Sequence, residues 1–259
     1  MKKFLAILMA LTLIVMGFAA CGNKPVVDEG GETEPVSSAK PVLTMGTNAT
    51  FPPYEFYEGD KIVGIDAEIA QLIADKLDMQ LVIKDMDFNG ILAAVSGGTI
   101  DIGMAGMTVN EERLLEVNFS TSYAKGVQVV IVKEDSDIAS IDDLAGKKIG
   151  VQESTTGDIY ASDDFGEEAM LRYNKGTDAV AALVNGTVDA VIIDNEPAKA
   201  FVKETAGLKI LDTSYADEDY AIAVAKTNTE LLSKIDTALN ELIADGSVQS
   251  IIDKYISAE

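Results

Sequence analysis

Histidine does not occur in this chain of 259 residues, cysteine occurs once, at Cys21, and only Arg113 and Arg172 among twenty basic residues are arginine. Each shortage closes off chemistry. Without histidine, and with its one thiol near the N-terminal edge, the chain lacks the usual general base, nucleophile activator and zinc ligand. Serine–histidine catalysis is excluded, and no disulfide can form within the chain. Neither GxGxxG nor the GxxxxGK pattern occurs, so no glycine loop is built to cradle phosphates. Positive charge is scarce as well: 43 acidic against 20 basic residues give a net charge of −23, which argues against nucleic acid as a partner. The acidic residues are spread along the chain, as on solvated faces. The expectation is a protein with no catalytic residues, no metal and no cofactor.

What is there begins with a processing signal. Lys2 and Lys3 precede an apolar run, Phe4 to Met16, broken only by Thr12, and Gly17, Phe18, Ala19 and Ala20 lead to Cys21. An apolar stretch this short, ended by small residues, reads as a secretory signal peptide over residues 1–20 rather than a membrane span. Cys21 is then either incidental or the acylated first residue of the mature chain. The segment resembles a bacterial lipoprotein signal, with Phe18 where leucine is usual, and this implies a palmitate-bearing lipid anchor at Cys21 and an extracytoplasmic location at the membrane. Residues 21–40, rich in Gly, Pro, Glu and Ser without an apolar period, form the lipidated N-terminus and a flexible tether.

Two later stretches resemble each other at a distance of 88 residues: NGILAAVSGGTIDIGMAG at 89–106 and TDAVAALVNGTVDAVIIDN at 177–195. Aligned on GTID and GTVD, Gly98 matches Gly186, Asp101 matches Asp189, and Gly106 matches Asp194. Each copy reads as an amphipathic helix, a glycine stop and a short apolar strand. Two copies imply two related lobes rather than a solenoid. Helical and strand patterns alternate throughout, which predicts an α/β fold whose sheets are mostly parallel and flanked by helices. In such sheets ligands bind beyond the carboxyl ends of the strands. That rule selects Asn48, Gly106, Thr108, the segment Glu153–Gly157 and Asp194.

Arg113 follows a strand end in AGMTVNEER, where its planar five-donor fork suits a carboxylate; a surface pairing with Glu111, Glu112 or Glu116 is the alternative. Asp194 ends the apolar strand VDAVIID and must face solvent, a helix cap or a cationic ligand. A cap role fits too, because Glu196 and Pro197 open a helix there. An Arg and an Asp from separate lobes would clamp the two charges of a zwitterion, with backbone near Gly106 and Gly157 adding bonds. Phe51 in FPPYEF and Phe88 in MDFNG belong either to the core or to a cleft, where they would sandwich a ligand side chain.

From about residue 41 onward these elements resemble the family 3 bacterial solute-binding proteins of amino-acid ABC importers. The motifs that carry the resemblance are GTNATFPPYEF, GIDAEIAQLIADKL, MDFNGILAAVSGGTIDIGMAGMTVNEER, NFSTSYAKG, KKIGVQESTTGDIYA and VDAVIIDNEPAKA. Ala67 stands where the family helix usually has Val or Leu. The resemblance implies a two-lobe type II periplasmic-binding-protein fold, with lobe 1 at 41–126 plus 221–259 and lobe 2 at 127–220. It implies that Arg113, with Thr108 and Thr156, takes an α-carboxylate, and that Asp194, with the Gly106 carbonyl, takes an α-ammonium. Phe51 and Phe88 would flank the side chain, and Asn48, Gln152 and Glu153 would line its far end. The stretch Asn48–Ala49–Thr50 carries no acid at the first strand end, which favours a neutral polar amino acid such as glutamine or cystine. The implied partners are a free L-amino acid, an ABC permease and the membrane, with the protein a monomer and not an enzyme. A sensor or adhesin lipoprotein, or a dehydratase on the same fold, are the competing functions.

Overall fold

A computed structural model describes residues 40–256 except Thr213; the expected signal segment (1–20), the expected lipidation at Cys21 and the expected tether up to residue 39 lie outside the described residues. The chain starts with β1 (Val42–Thr47) and a small antiparallel sheet of β2 (Thr50–Phe51), β3 (Glu55–Glu58) and β4 (Lys61–Val63). Helix α1 (Ile65–Lys76) places Ile65, Ile69 and Ile73 at intervals of four, all fully buried, so its apolar stripe faces the core. There follow β5 (Gln80–Asp85), α2 (Phe88–Ser96), β6 (Ile102–Gly103), α3 (Arg113–Glu116) and β7 (Val117–Phe119). The long β8 (Ala124–Lys133) leads to β9 (Ile149–Gln152), α4 (Thr156–Phe165), β10 (Met170–Tyr173), α5 (Gly176–Asn185), β11 (Ala190–Asp194), α6 (Asn195–Glu204), β12 (Leu208–Ile210) and β13 (Ala216–Tyr220). The chain then returns as β14 (Ala223–Ala225), α7 (Thr229–Ala244) and α8 (Ser247–Tyr255).

Two larger sheets organise these elements, one in the order β5-β1-β6-β14-β7 and the other β10-β9-β11-β8-β12, with β13 also paired to β8. Strand–helix alternation gives parallel pairs: β1 with β5 and β6, and β9 with β10 and β11. The strands that carry the chain between the sheets, β8, β13 and β14, run antiparallel to their neighbours, so each sheet is a parallel trio with antiparallel additions. One large buried cluster runs from the first sheet into the second, and a further cluster is confined to the second. Leu43, Met45, Ile102, Val224, Ile235 and Leu239 are fully buried around the first, and Val130, Val132, Ile149, Val151 and Ala190 around the second. Each such apolar side chain contributes roughly 1.5–3 kcal/mol of transfer free energy.

The repeat is visible bond by bond. Gly98 (φ 69°) and Gly186 (φ 78°) both end their helices in the left-handed region, where a side chain would be strained. The Asp101 carboxylate accepts from the Thr44 amide at 2.7 Å, and the Asp189 carboxylate from the Lys148 amide at 2.8 Å. The two passages between the sheets lie side by side: β13 pairs with the start of β8, Tyr220 opposite Ala124 and Asp219 opposite Lys125. The second passage then enters β14 within three residues.

Candidate binding cleft

The carboxyl ends of both sheets face each other, and nine of the eleven residues selected from the sequence line one enclosed space between them. The lobes are drawn together, leaving about 10 Å³ of free volume there, room for about one water. Four polar contacts cross the gap. Gln152 donates to Asn48 Oδ1 at 3.0 Å, Asn89 to Glu153 Oε2 at 2.8 Å, and Arg113 Nη2 to the Ser154 carbonyl at 3.1 Å; the Thr108 and Thr156 hydroxyls lie 3.4 Å apart.

Arg113 opens α3 and is 5% exposed. Its second bond runs to the Thr108 carbonyl at 2.7 Å, and its guanidinium lies 5.4 Å from the centre of the Phe88 ring. No salt bridge among the described residues involves it. The surface pairing with Glu111, Glu112 or Glu116 is therefore not what the side chain does. Burial lowers its pKa, while Glu218 and Asp194 oppose that shift. The other arginine is bound up structurally: Arg172 Nε donates to buried Asp158 at 2.8 Å.

Asp194 is the N-cap residue of α6, yet its carboxylate makes no capping bond. It accepts instead from the Tyr220 hydroxyl. Tyr220 reaches it because Gly126, between them on β8, has no side chain; a Cβ there would lie 2.2 Å from the Tyr220 oxygen. Burial, and then the nearby Glu218, push the Asp194 carboxyl well above the usual carboxylate range.

The remaining lining is polar at one end and aromatic at the other. Asn48 Nδ2 is tied to the Met86 carbonyl at 2.9 Å, and Gln152 also donates to the Asn174 carbonyl at 3.0 Å. Phe51 packs on Tyr54 with ring centres 5.9 Å apart, and Phe88 begins α2 half-buried. Gly106 has φ 53°, and a Cβ on it would lie 2.9 Å from Phe51, so the backbone can approach the space only without a side chain. Thr155 caps α4 and Thr156 is its first residue, so free amides at a positive helix end point toward the space. Two expected residues lie outside the lining: Glu153 sits at the rim with Asn89, and Gly157 faces Gln128 and Ile192 inside the second lobe.

Sequence reading missed Glu55, which joins the lining with Ala105 and Thr155. Glu55 is 1% exposed and its Oε2 has no hydrogen-bond partner. Burial, followed by the neighbouring Asp66, raises its pKa well above normal. Asp66 itself, pushed up to about 6 by burial, accepts from the Gly106 amide at 2.9 Å. Glu55 immediately follows Tyr54 in the FPPYEF motif, and antiparallel pairing with Phe51 turns it inward.

Two lobes with parallel cores, joined by two adjacent strands and meeting at a polar cleft, make this a type II periplasmic binding protein in architecture. Residues 43–258 match the family described as bacterial extracellular solute-binding proteins, family 3, and the chain belongs to it. The arginine-binding extracellular protein ArtP of Bacillus subtilis (strain 168) is 34% identical, with both chains covered in full. Two solved structures of an ancestral arginine-binding protein are also similar, one bound to glutamine and one bound to arginine. They are 40% and 41% identical, with TM-scores of 0.80 and 0.79, covering 84% and 83% of this chain and 98% of theirs.

Proposed function

We propose that this protein is the substrate-binding component of an amino-acid ABC importer, and that it captures one free L-amino acid between lobe 1 (41–126 and 221–259) and lobe 2 (127–220). One observation carries the reading: a buried guanidinium, Arg113, satisfied only by carbonyls, shares a closed cleft with a buried carboxyl, Asp194. Burying single charges is costly unless each meets its complement, and the carboxylate and ammonium of an amino acid supply both. Arg113, Thr108, Thr156 and the α4 N-terminus take the carboxylate. Asp194 and the Gly106 carbonyl take the ammonium. Phe51 and Phe88 hold the side chain, with Asn48 and Gln152 at its far end. The ligand bridges the lobes and favours closure because it binds the closed form better, and the permease reads the closed form.

The stretch Asn48–Ala49–Thr50 on its own favours a neutral side chain. Glu55 adds a carboxyl to the same lining, which favours a side chain ending in planar N–H donors, L-arginine ahead of L-glutamine. ArtP is an arginine-binding protein, and the ancestral relative has been solved with arginine and with glutamine. The protein is anchored outside the cytoplasm through Cys21 and acts as a monomer, by binding rather than turnover.

A thermal-shift screen of the twenty amino acids with cystine and ornithine tests this. Ligand at about 100 times its Kd adds about 2.7 kcal/mol of stability. A melting point unmoved by every amino acid would sink the reading. Glu55→Gln should weaken L-arginine roughly tenfold while changing L-glutamine little, by isothermal calorimetry, since only the former loses a charge-assisted bond. Equal losses for both would remove Glu55 from the choice of side chain.

A further inference from the structure

Across the cleft, Arg113 meets a residue held in an unfavourable conformation. Its Nη2 donates to the Ser154 carbonyl at 3.1 Å, and Ser154 has φ 64°. Among the described residues, Asp78 is the only other non-glycine residue in that left-handed region, where a side chain costs free energy that the surroundings must offset. The Ser154 side chain is exposed, so its own burial offsets nothing. A chain of polar bonds beneath it does. The Ser154 amide donates to Asp158 Oδ2 at 3.0 Å, and Asp158 Oδ1 and Oδ2 accept from Arg172 Nε at 2.8 and 2.9 Å. The Ser162 hydroxyl donates to Asp158 Oδ1 at 3.2 Å and accepts from Arg172 Nη2 at 2.8 Å. Asp158 is buried, and bonds to an ionised partner of this kind are among the strongest a side chain makes.

This chain of bonds links the two arginines. Arg172 lies on β10 and Asp158 within the first turn of α4, and together they fix the turn that follows β9. A staple between α4 and β10 needs no residue in the left-handed region. That conformation has its effect at the Ser154 carbonyl, which meets the guanidinium of lobe 1. Arg113 Nη1 is tied to the Thr108 carbonyl on its own side at 2.7 Å, so the fork is fixed from both lobes and the rest of its five N–H groups stay available to a ligand. Two residues beyond Ser154 stand Thr156 and the first amides of α4, the part of the carboxylate seat that lobe 2 contributes.

We propose that Ser154 is a positioning residue for Arg113: Asp158 and Arg172 hold it left-handed, and its carbonyl fixes the spacing between the two halves of the carboxylate seat. Arg113 touches the ligand; Ser154, Asp158 and Arg172 act through it. This rests on the assignment of Arg113 to the ligand carboxylate. Every amino acid carries that carboxylate, so the device sets affinity and not the choice of side chain.

Calorimetry with L-arginine and L-glutamine on wild type, Asp158→Ala, Ser154→Gly and the double variant tests this. Asp158→Ala should weaken both amino acids about tenfold and to the same degree. Ser154→Gly keeps the carbonyl and adopts this φ without a side-chain cost; alone, it should leave both Kd values within about twofold of wild type. Added to Asp158→Ala, it should recover about fivefold of the loss, matching the cost it removes. A merely structural staple gives another pattern: Asp158→Ala lowers the melting point, leaves Kd unchanged, and Ser154→Gly recovers no affinity. An unchanged Kd in Asp158→Ala, or no recovery in the double variant, would overturn the proposal. Should Asp158→Ala not fold, Asp158→Asn takes its place, with an about threefold loss that Ser154→Gly again recovers. If neither amino acid binds wild type, the functional reading fails instead, and the Arg113 guanidinium decides on the positioning alone. Its Nη signals in ¹⁵N spectra of the ligand-free protein should be resolved in wild type, merged by free rotation in Asp158→Ala and resolved again in the double variant. Free rotation already in wild type refutes the contact.

Discussion

The two copies of the helix–strand repeat share a frame and differ at the tip. Gly98 and Gly186 end their helices in the same conformation, and Asp101 and Asp189 tie the following turns to neighbouring backbone in the same way. Beyond that the copies part. In lobe 1, β6 has two residues and gives way to Gly106, whose amide is held by Asp66, and the chain runs on as a loop to Arg113. In lobe 2, β11 keeps five residues and ends on Asp194, with α6 starting at the next residue. One tip presents bare backbone and, seven residues on, a cation; the other presents a carboxyl. The shared bonds tie each lobe's turns in the same way, and the divergent tips are where the proposed binding residues stand. Under the proposed function the ligand is a zwitterion with unlike ends, and the likeness of the lobes stops where those ends would be met.

Changes at the tips should therefore affect binding, and changes in the frame should affect stability. The largest effect is expected for Arg113→Ala, with at least about a hundredfold loss of affinity, because it leaves a buried ligand carboxylate unpaired. Calorimetry giving a Kd within threefold of wild type would break the division. Gly106→Ala should combine both effects. Its φ of 53° and a Cβ 2.9 Å from Phe51 predict roughly 2–3 kcal/mol of lost stability together with weaker binding. Unaltered melting and affinity would mean that the tip is less tightly built than it looks.

Acidity should also separate the ligand-free and loaded forms. Burial raises the pKa of Glu55, Asp66 and Asp194. Their native pKa values exceed the unfolded ones, so the stability they contribute is greatest below about pH 4 and is lost as pH rises through the native values, about 6 for Asp66. Ligand-free protein should then melt at a lower temperature at pH 8 than at pH 5, with a weaker trend once L-arginine is bound. Differential scanning calorimetry at both values checks this, and a rising melting point toward pH 8 would contradict it. The smallest and most symmetrical effect belongs to the frame. Gly98→Ala and Gly186→Ala should each cost about 1 kcal/mol, or about 2–4 °C, with Kd unchanged. Unequal costs would show that the copies are not equivalent supports.

Much of this was legible in the sequence because repetition and rare residues are informative. The 88-residue offset located both frames, and the scarcity of arginine drew attention to Arg113, whose environment then proved to be a buried cleft. Glu55 and Glu218 were not legible. Glu55 is a lone acid in the aromatic run FPPYEF and Glu218 lies between two aspartates, and each is buried by strand register: Glu55 opposite Phe51, Glu218 opposite Gly126. Pairing partners decide which face of a strand turns inward, and no local pattern reports them. Glu153 and Gly157 illustrate the converse. The strand-end rule selected the correct loop, but one side chain stops at the rim and the other position faces its own lobe.

The strand order has a consequence for how the chain assembles as it is made. β14, from Ala223–Ala225, is wedged between β6 and β7, although more than a hundred residues separate it from both. Until that late segment emerges, the first sheet is split and α1 lacks its packing partners α7 and α8. The second sheet draws on one uninterrupted stretch from β8 to β13 and has no such wait. Synthesis from the N-terminus should therefore complete the second lobe first, leaving the opening third of the chain unfolded until nearly the end.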